Sequence, residues 1–460
     1  MKKVLIILLA IITLLAVAYF GFFKYRQIQA NNFLIPSNAE SVVKINVDEL
    51  YKTIAISYLK HPKQYAGSEK KDLKKRIEDL HMGLEIPANF YLYSLKGNQG
   101  NYFTKLKIND NIAFSRFITR YFKQIKKDSK TKNTFAQLPD STLSIVFSST
   151  EVAIGYHPAK SNLRSVLTAI LANQNAIKFK DSQFGALSSL PDHIAFKCQE
   201  SLATFNFYDG KLKFNSEFTS DQILPFEKPQ HRKLNPNSSL SMWLNADFKI
   251  DKRSAVSSAK QRFLSFYKGY MDIEWLKTTN KKDTVVSFEF NDDFERIEKK
   301  QVIDRKIPQL YINMDADARA VTKYLVDSNL VDLSTGRISA AAIPLYQIYF
   351  NSNGDQVQFN TVNKAAFNIK KVPAEDFFHL HIDFEKLLKD ASLPILTDKL
   401  LALKKLESKG RKIGTNQIKF ETVVEFQNVE ANSLIQLIKM YQKLKSTPIQ
   451  INFGSLIPKH

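Results

Sequence analysis

His379, His381 and Asp383 stand at alternate positions of the stretch HLHID, the sharpest chemical pattern in the chain. On a strand, residues two apart share a face, so both imidazoles and the carboxylate can converge. That donor set suits a cation such as zinc. Internal copies of the stretch point elsewhere. His381 corresponds to Asn245 and, more loosely, to Asn46 and Asn313, while His379 corresponds to Trp243. A position that takes Asn in three places reads as a strand-end hydrogen-bonding site, and Asp383 reads as a helix cap. The expectation is no metal and no cofactor, with these three residues as the candidates to check.

A second pattern is electrostatic. Arg116, Arg120, Lys123 and Lys127 recur along a predicted helix whose Phe114, Phe117, Ile118, Tyr121 and Ile125 take the other positions. Basic charge next to apolar area can hold such a helix on anionic lipid. The plainer reading puts the apolar residues in the core and leaves the bases solvated. The formal net charge of +21 favours anionic partners in general, although lysine is spread along the whole chain. No nucleic-acid-binding motif accompanies the charge, so nucleic acid is not an expected partner.

Nucleophile and phosphate-cradle signatures are missing: there is no G-x-S-x-G, H-E-x-x-H, G-x-x-x-x-G-K-[ST] or G-x-G-x-x-G. The single cysteine, Cys198, permits no intramolecular disulfide and reads as a small buried hydrophobe. Trp243 and Trp275 read as core aromatics. Together these features weigh against an enzyme.

The elements that would position these residues begin with an apolar run, Val4 to Phe23, entered through Lys2 and Lys3. About twenty apolar residues span a bilayer as a helix. The run reads as an uncleaved signal anchor over 1–26 in a single-pass inner-membrane protein, with the bulk of the chain extracytoplasmic (periplasmic). A cleavable signal, releasing a secreted body, is the alternative. A linker, 27–32, follows. A first α+β domain is expected over 33–228 and a second over 229–460, beyond the prolines at 225, 229 and 236. Asp247 and Asp383, Thr279-Asn280 and Thr415-Asn416, and Glu289-Phe290 and Glu425-Phe426 all stand 136 residues apart. That register marks a duplication, at about 236–296 and 373–432.

Alternating apolar positions predict strands at Val43–Val47, in IPANFYLYSL, TLSIVFS, EVAIGYH, HIAFKC, KLKFNSEF, LSMWLNADF, FFHLHIDF and KFETVVEFQN. Helices are expected after Asp48, after Asp110, through Val166 and Ile170, from about Ser254 to Tyr270, in LTDKLLALKKLE and over Ala431 to Leu444. The fold class is thus α+β: a transmembrane helix, then antiparallel sheets with helices on one face, built from diverged strand–helix–strand copies.

The segments IPSNAESVVKINVDEL and MGLEIPANFYLYSL and the LKIND helix start resemble a family of uncharacterised bacterial envelope proteins that carry an N-terminal signal or anchor. The resemblance implies no activity and no site residues. The function expected from the sequence is a non-enzymatic envelope protein that binds a partner protein or anionic lipid, held to the membrane by its N-terminal helix. An envelope hydrolase and a lipid-handling module with an apolar groove between sheet and helices are the alternatives.

Overall fold

The computed structural model describes residues 21–65, 82–129, 131–160, 162–249, 262, 265–290, 296–339, 346–362, 370–390 and 400–446. The chain divides into two compact units, Met1–Phe207 and Tyr208–His460. Each is dominated by antiparallel sheet.

The first unit opens with a helix over residues 21–31 (α1) and a short strand β1 (Leu34–Pro36). Then come β2 (Ala39–Asn46), α2 (Val47–Lys60), β3 (Asn89–Leu95), β4 (Tyr102–Lys107) and α3 (Asn111–Tyr121). A meander of β5 (Lys126–Lys127), β6 (Thr134–Gln137), β7 (Leu143–Phe147) and β8 (Glu151–Tyr156) leads to α4 (Arg164–Leu171). β9 (Ala176–Lys178) pairs back on β1, and β10 (Ile194–Cys198) and β11 (Ser201–Tyr208) complete the unit. Across the sheet the order is β5-β6-β7-β8-β4-β3-β2-β10-β11, every pair antiparallel.

β7 reads LSIVF, apolar at successive positions, so both of its faces need cover. Ile145 and Val152 face the cluster of α3, with Phe114 and Ile118, whereas Val146 and Ala153 face that of α4, with Leu163 and Leu167. The two helices therefore sit on opposite faces of one sheet, which corrects the expectation of helices on one face. Asp110 caps α3 as expected, its Oδ1 accepting from the amides of Ile112 and Ala113 at 3.0 Å each. α2 is capped two residues earlier than expected: Asn46 accepts from the Glu49 amide at 3.2 Å, which frees Asp48 for another partner.

The second unit contains β12 (Lys211–Thr219), β13 (Ile223–Pro225), β14 (Gln230–Arg232), β15 (Leu240–Phe248), β16 (Tyr267–Phe290) and β17 (Arg296–Ala316). After α5 (Ala318–Asp327) come β18 (Val331–Asp332), β19 (Arg337–Ile338), β20 (Tyr349–Asn353), β21 (Gln356–Asn360), β22 (Lys371–Pro373) and β23 (Phe378–Asp383). The last elements are α6 (Phe384–Asp390), β24 (Leu403–Lys412), β25 (Gln417–Phe426) and α7 (Ser433–Ser446). The sheet runs β12-β25-β24-β23-β15-β16-β17-β21-β20-β19-β18. β16 and β17 outrun their neighbours: from Thr278↔Pro308 to Phe290↔Arg296 they pair with each other alone among the described residues. α5 packs Val321 and Leu325 against Met314, Phe350 and Val357.

Three further features of the expected α+β architecture are corrected. First, among the described residues no helix is long and apolar enough to cross a membrane. Residues 4–20 of the apolar run lie outside the described residues, and the membrane-anchor reading with its transmembrane helix is set aside. Second, the helix expected in LTDKLLALKKLE is a strand from Leu403 onward, because β23 and β25 bond it on both sides. Third, Tyr267–Tyr270, expected as the end of a helix, opens β16. The fold is mainly antiparallel β-sheet. Residues 66–81 and 447–460 lie outside the described residues.

Candidate functional site

β3 and β4 are neighbours in sequence and in the sheet, yet they share one register pair, Tyr93↔Phe103. β3 is bonded along its other edge to β2 over its whole length, and β4 likewise to β8. Each strand follows its own partner, so the two part. A bridge between Leu84 and Ile108 closes the far end of the opening, together with a 2.9 Å bond from the Glu85 amide to the Lys107 carbonyl. α1 lies over the gap, and just beyond it Phe33 packs on Tyr91 and Tyr93 with ring centroids 5.3 and 6.4 Å away. The result is a cavity of about 550 Å³. Phe22, Tyr25, Phe33, Phe90 and Leu106 supply its apolar wall, and Arg26, Asn89, Thr104, Lys105 and Glu151 its polar one.

The charges in this wall are matched. Arg26 reaches Asp48 through Nη2 at 2.8 Å and Nε at 3.1 Å, and donates also to the Ile86 carbonyl at 3.1 Å. Lys105 lies 3.1 Å from Glu151 and donates to Asn173 Oδ1 at 2.6 Å. Lys107 faces Glu85 at 3.8 Å. The neutral polar groups are less well served. Asn89 donates through Nδ2 to Gln27 at 2.8 Å, but its Oδ1 has no partner, and neither has the Thr104 hydroxyl. Both side chains are about 2% exposed. Burial pushes the Tyr91 phenol well above its ordinary pKa, with Asn89 opposing the shift, so the ring stays uncharged. A wall of this kind can hold a molecule by contact area and hydrogen bonds. It offers no nucleophile activated by a base, since both of its carboxylates are tied to lysines.

No family model matches the chain, and no curated protein sequence matches it. A solved structure, that of crystal form I of TP0453, aligns with 72% of this chain and 91% of its own at 9% identity and a TM-score of 0.22, too low to carry an inference about fold or function.

The sequence-predicted residues lie elsewhere. His379 and His381 are on β23, but the His379 ring meets Trp243 edge-on at 4.2 Å, and Trp243 stacks on His231 at 4.1 Å. Burial lowers the His379 pKa, opposed by Glu407, whose carboxylate is 3.7 Å away. Asp383 caps α6 by accepting from the Lys386 amide at 3.1 Å. Among the described residues no three His, Cys, Asp or Glu side chains converge as a metal site would require. Arg116, Arg120, Lys123 and Lys127 are all exposed, with Ile112, Tyr121 and Ile125 exposed beside them, and Arg120 lies over the Tyr121 ring at 5.3 Å. Cys198 is half-buried at the end of β10.

Three buried polar arrangements escaped the sequence reading because each joins residues far apart in the chain or on opposed strands. Ser144 and His157 lie 2.9 Å apart, a pair that looks like a nucleophile and its base, yet both have no exposure. Lys44, 1% exposed, donates to the carbonyls of Leu187 at 2.9 Å and Leu190 at 2.7 Å. In the second unit, Arg232 binds Asp272 at 2.9 Å and Glu274 at 3.0 Å. Tyr270 donates to Asp272 at 2.8 Å, and Ser238 to Glu274 at 2.9 Å. Every carboxylate in that cluster is satisfied, which is the signature of a structural core element.

Proposed function

We propose that this chain works by binding, and that its first unit holds a small, partly apolar molecule in the cavity beneath α1. The observation that carries the reading is the combination in one partly open cavity of an aromatic wall, Phe22, Tyr25, Phe33 and Phe90, with the polar side chains of Arg26, Lys105 and Glu151. Binding cavities of this class join apolar lining to a few placed polar groups. A hydrolase has less support, because the carboxylates in the wall are engaged and the one Ser–His pair among the described residues is sealed from solvent. The test is extraction of the natively purified full chain with organic solvent and identification of what is released. Leu106→Trp, which fills the cavity, serves as control. A molecule recovered from the native chain and lost in the variant supports the reading. A chain that releases nothing and takes up no N-phenyl-1-naphthylamine overturns it.

A second surface supports contact with anionic headgroups: Arg116, Lys123 and Lys127 are exposed on α3 and the segment after it, as are Ile112 and Ile125, and basic charge with apolar area favours such a surface.

A further inference from the structure

His193 stands just before β10, and both of its ring nitrogens are engaged. The Phe207 amide donates to Nδ1 at 2.8 Å. A backbone N–H can only donate, so Nδ1 carries no proton and the neutral ring keeps its hydrogen on Nε2. Nε2 lies 2.9 Å from Thr53 Oγ1 on α2, which accepts that hydrogen. His193 is 2% exposed, and its ring stacks on the Phe207 ring with centroids 5.9 Å apart. One neutral tautomer thus joins three segments: α2, the entry to β10 and the end of β11.

A second proton has one place to go. It must sit on Nδ1, where it would point at another N–H, so the bond from Phe207 is lost while the contact with Thr53 can stay. Turning the ring over does not help, because either nitrogen of an imidazolium would meet the same amide with a hydrogen. Among the described residues, the charged groups that act on this ring are Glu49 and Lys52 on α2 and Asp192 beside it in the chain. Burial holds the imidazole below its ordinary pKa, with the two acids opposing the shift and Lys52 adding to it.

We propose that His193 is a proton-operated latch at the C-terminal end of the first unit: neutral, it holds Phe207, the last residue of that unit, and protonated, it lets the end of β11 go. The latch is closed at neutral pH and opens in acid. A freed imidazole takes up its proton at about its ordinary 6.5, so below that value the open population grows by up to about tenfold per pH unit.

Hydrogen exchange of the full chain, expressed as protection relative to the unstructured rate, reads the latch at the Phe207 amide. Protection there is expected to fall at least about tenfold from about pH 7.5 to about pH 5, while the Ala195 amide in β10 stays largely unchanged. His193→Asn sets an oxygen close to the place of Nδ1 that can accept from Phe207 but does not titrate, and is expected to abolish the step at Phe207. Imidazole nitrogen resonances of the wild-type chain, labelled in its histidines, need no variant. At neutral pH they are expected to show His193 with its hydrogen on Nε2. A hydrogen on Nδ1 at neutral pH, a Phe207 amide indifferent to pH, or a folded Asn variant that keeps the wild-type step each overturns the proposal. A fall of equal size at Ala195 overturns it too, because the loosening would then belong to the sheet and not to the latch.

Discussion

Arg26 grips Asp48 through two guanidinium nitrogens, and by that contact α1 is fastened to the first turn of α2. Only Ala30 of α1 is buried, so this pair, with the Gln27–Asn89 bond, does much of the holding. Asp48→Asn is expected to lower stability by about 1–3 kcal/mol, the range for a charge-assisted bond with one end buried. The same change should speed amide exchange in residues 21–31. In a double-mutant cycle with Arg26→Met, the two effects should fall short of additivity. Urea titration and hydrogen exchange measure both, and full additivity would show the contact to be idle.

Lys44 gives a pH-dependent signature. Burial, opposed by Asp192, lowers its pKa from its ordinary 10.5 to about 8. Between those values the unfolded chain binds more protons than the folded one, so this group's contribution to stability rises with pH. Below pH 8 the desolvation penalty is present in full. Lys44→Met strips the Leu187 and Leu190 carbonyls of their donor and is expected to destabilise by about 1–3 kcal/mol at neutral pH. The gap between wild type and variant should widen on going from about pH 7.5 to 9.5. Urea unfolding at the two pH values reads this, and an unchanged gap would contradict the assignment.

Arg232 is the only cation placed against both Asp272 and Glu274 among the described residues, and the Asp272 side chain is wholly buried. Arg232→Met should cost about 3–5 kcal/mol, as removal of one member of a buried ionic cluster does. The loss is expected in the unfolding of the second unit. Equal destabilisation by Lys233→Met, its sequence neighbour, would show that the cluster is not responsible.

The basic face of α3 and the segment after it should respond to charge reversal. At about 1 kcal/mol per charge near an anionic bilayer, Arg116→Glu, Lys123→Glu and Lys127→Glu together are expected to weaken binding to phosphatidylglycerol-containing vesicles by at least roughly a hundredfold. Raising salt should weaken the wild-type chain in the same direction. Co-sedimentation measures it, and binding that is indifferent to both changes would assign the face to the solvent.

Strands were the most legible part of the chain, because a period of two leaves a mark even in a short run. β7, β8, β15, β23 and β25 lie where their alternation put them. β2 shows how that mark misleads: the pattern placed Val43 and Ile45 inward, yet Val42 and Lys44 occupy the more deeply buried face. The carbonyls that accept from the Lys44 amine come from residues more than a hundred positions away, which no local pattern records. In KLLALKKLE, helical spacing competed with long-range bonding to two flanking strands, and the strands won. The cavity was illegible for the same reason. It exists because β3 and β4 obey different neighbours, and because aromatics that had been assigned to lipid lie over the gap instead.

The nine-strand order of the first unit has a kinetic corollary. β6, β7 and β8 are joined by short turns and can zip together with little loss of chain entropy, whereas β2 meets β10 only after the intervening chain has been gathered in. The β2–β10 seam is therefore the late event of assembly, and the Lys44 contact, which ties β2 to the segment just before β10, is the bolt that closes it.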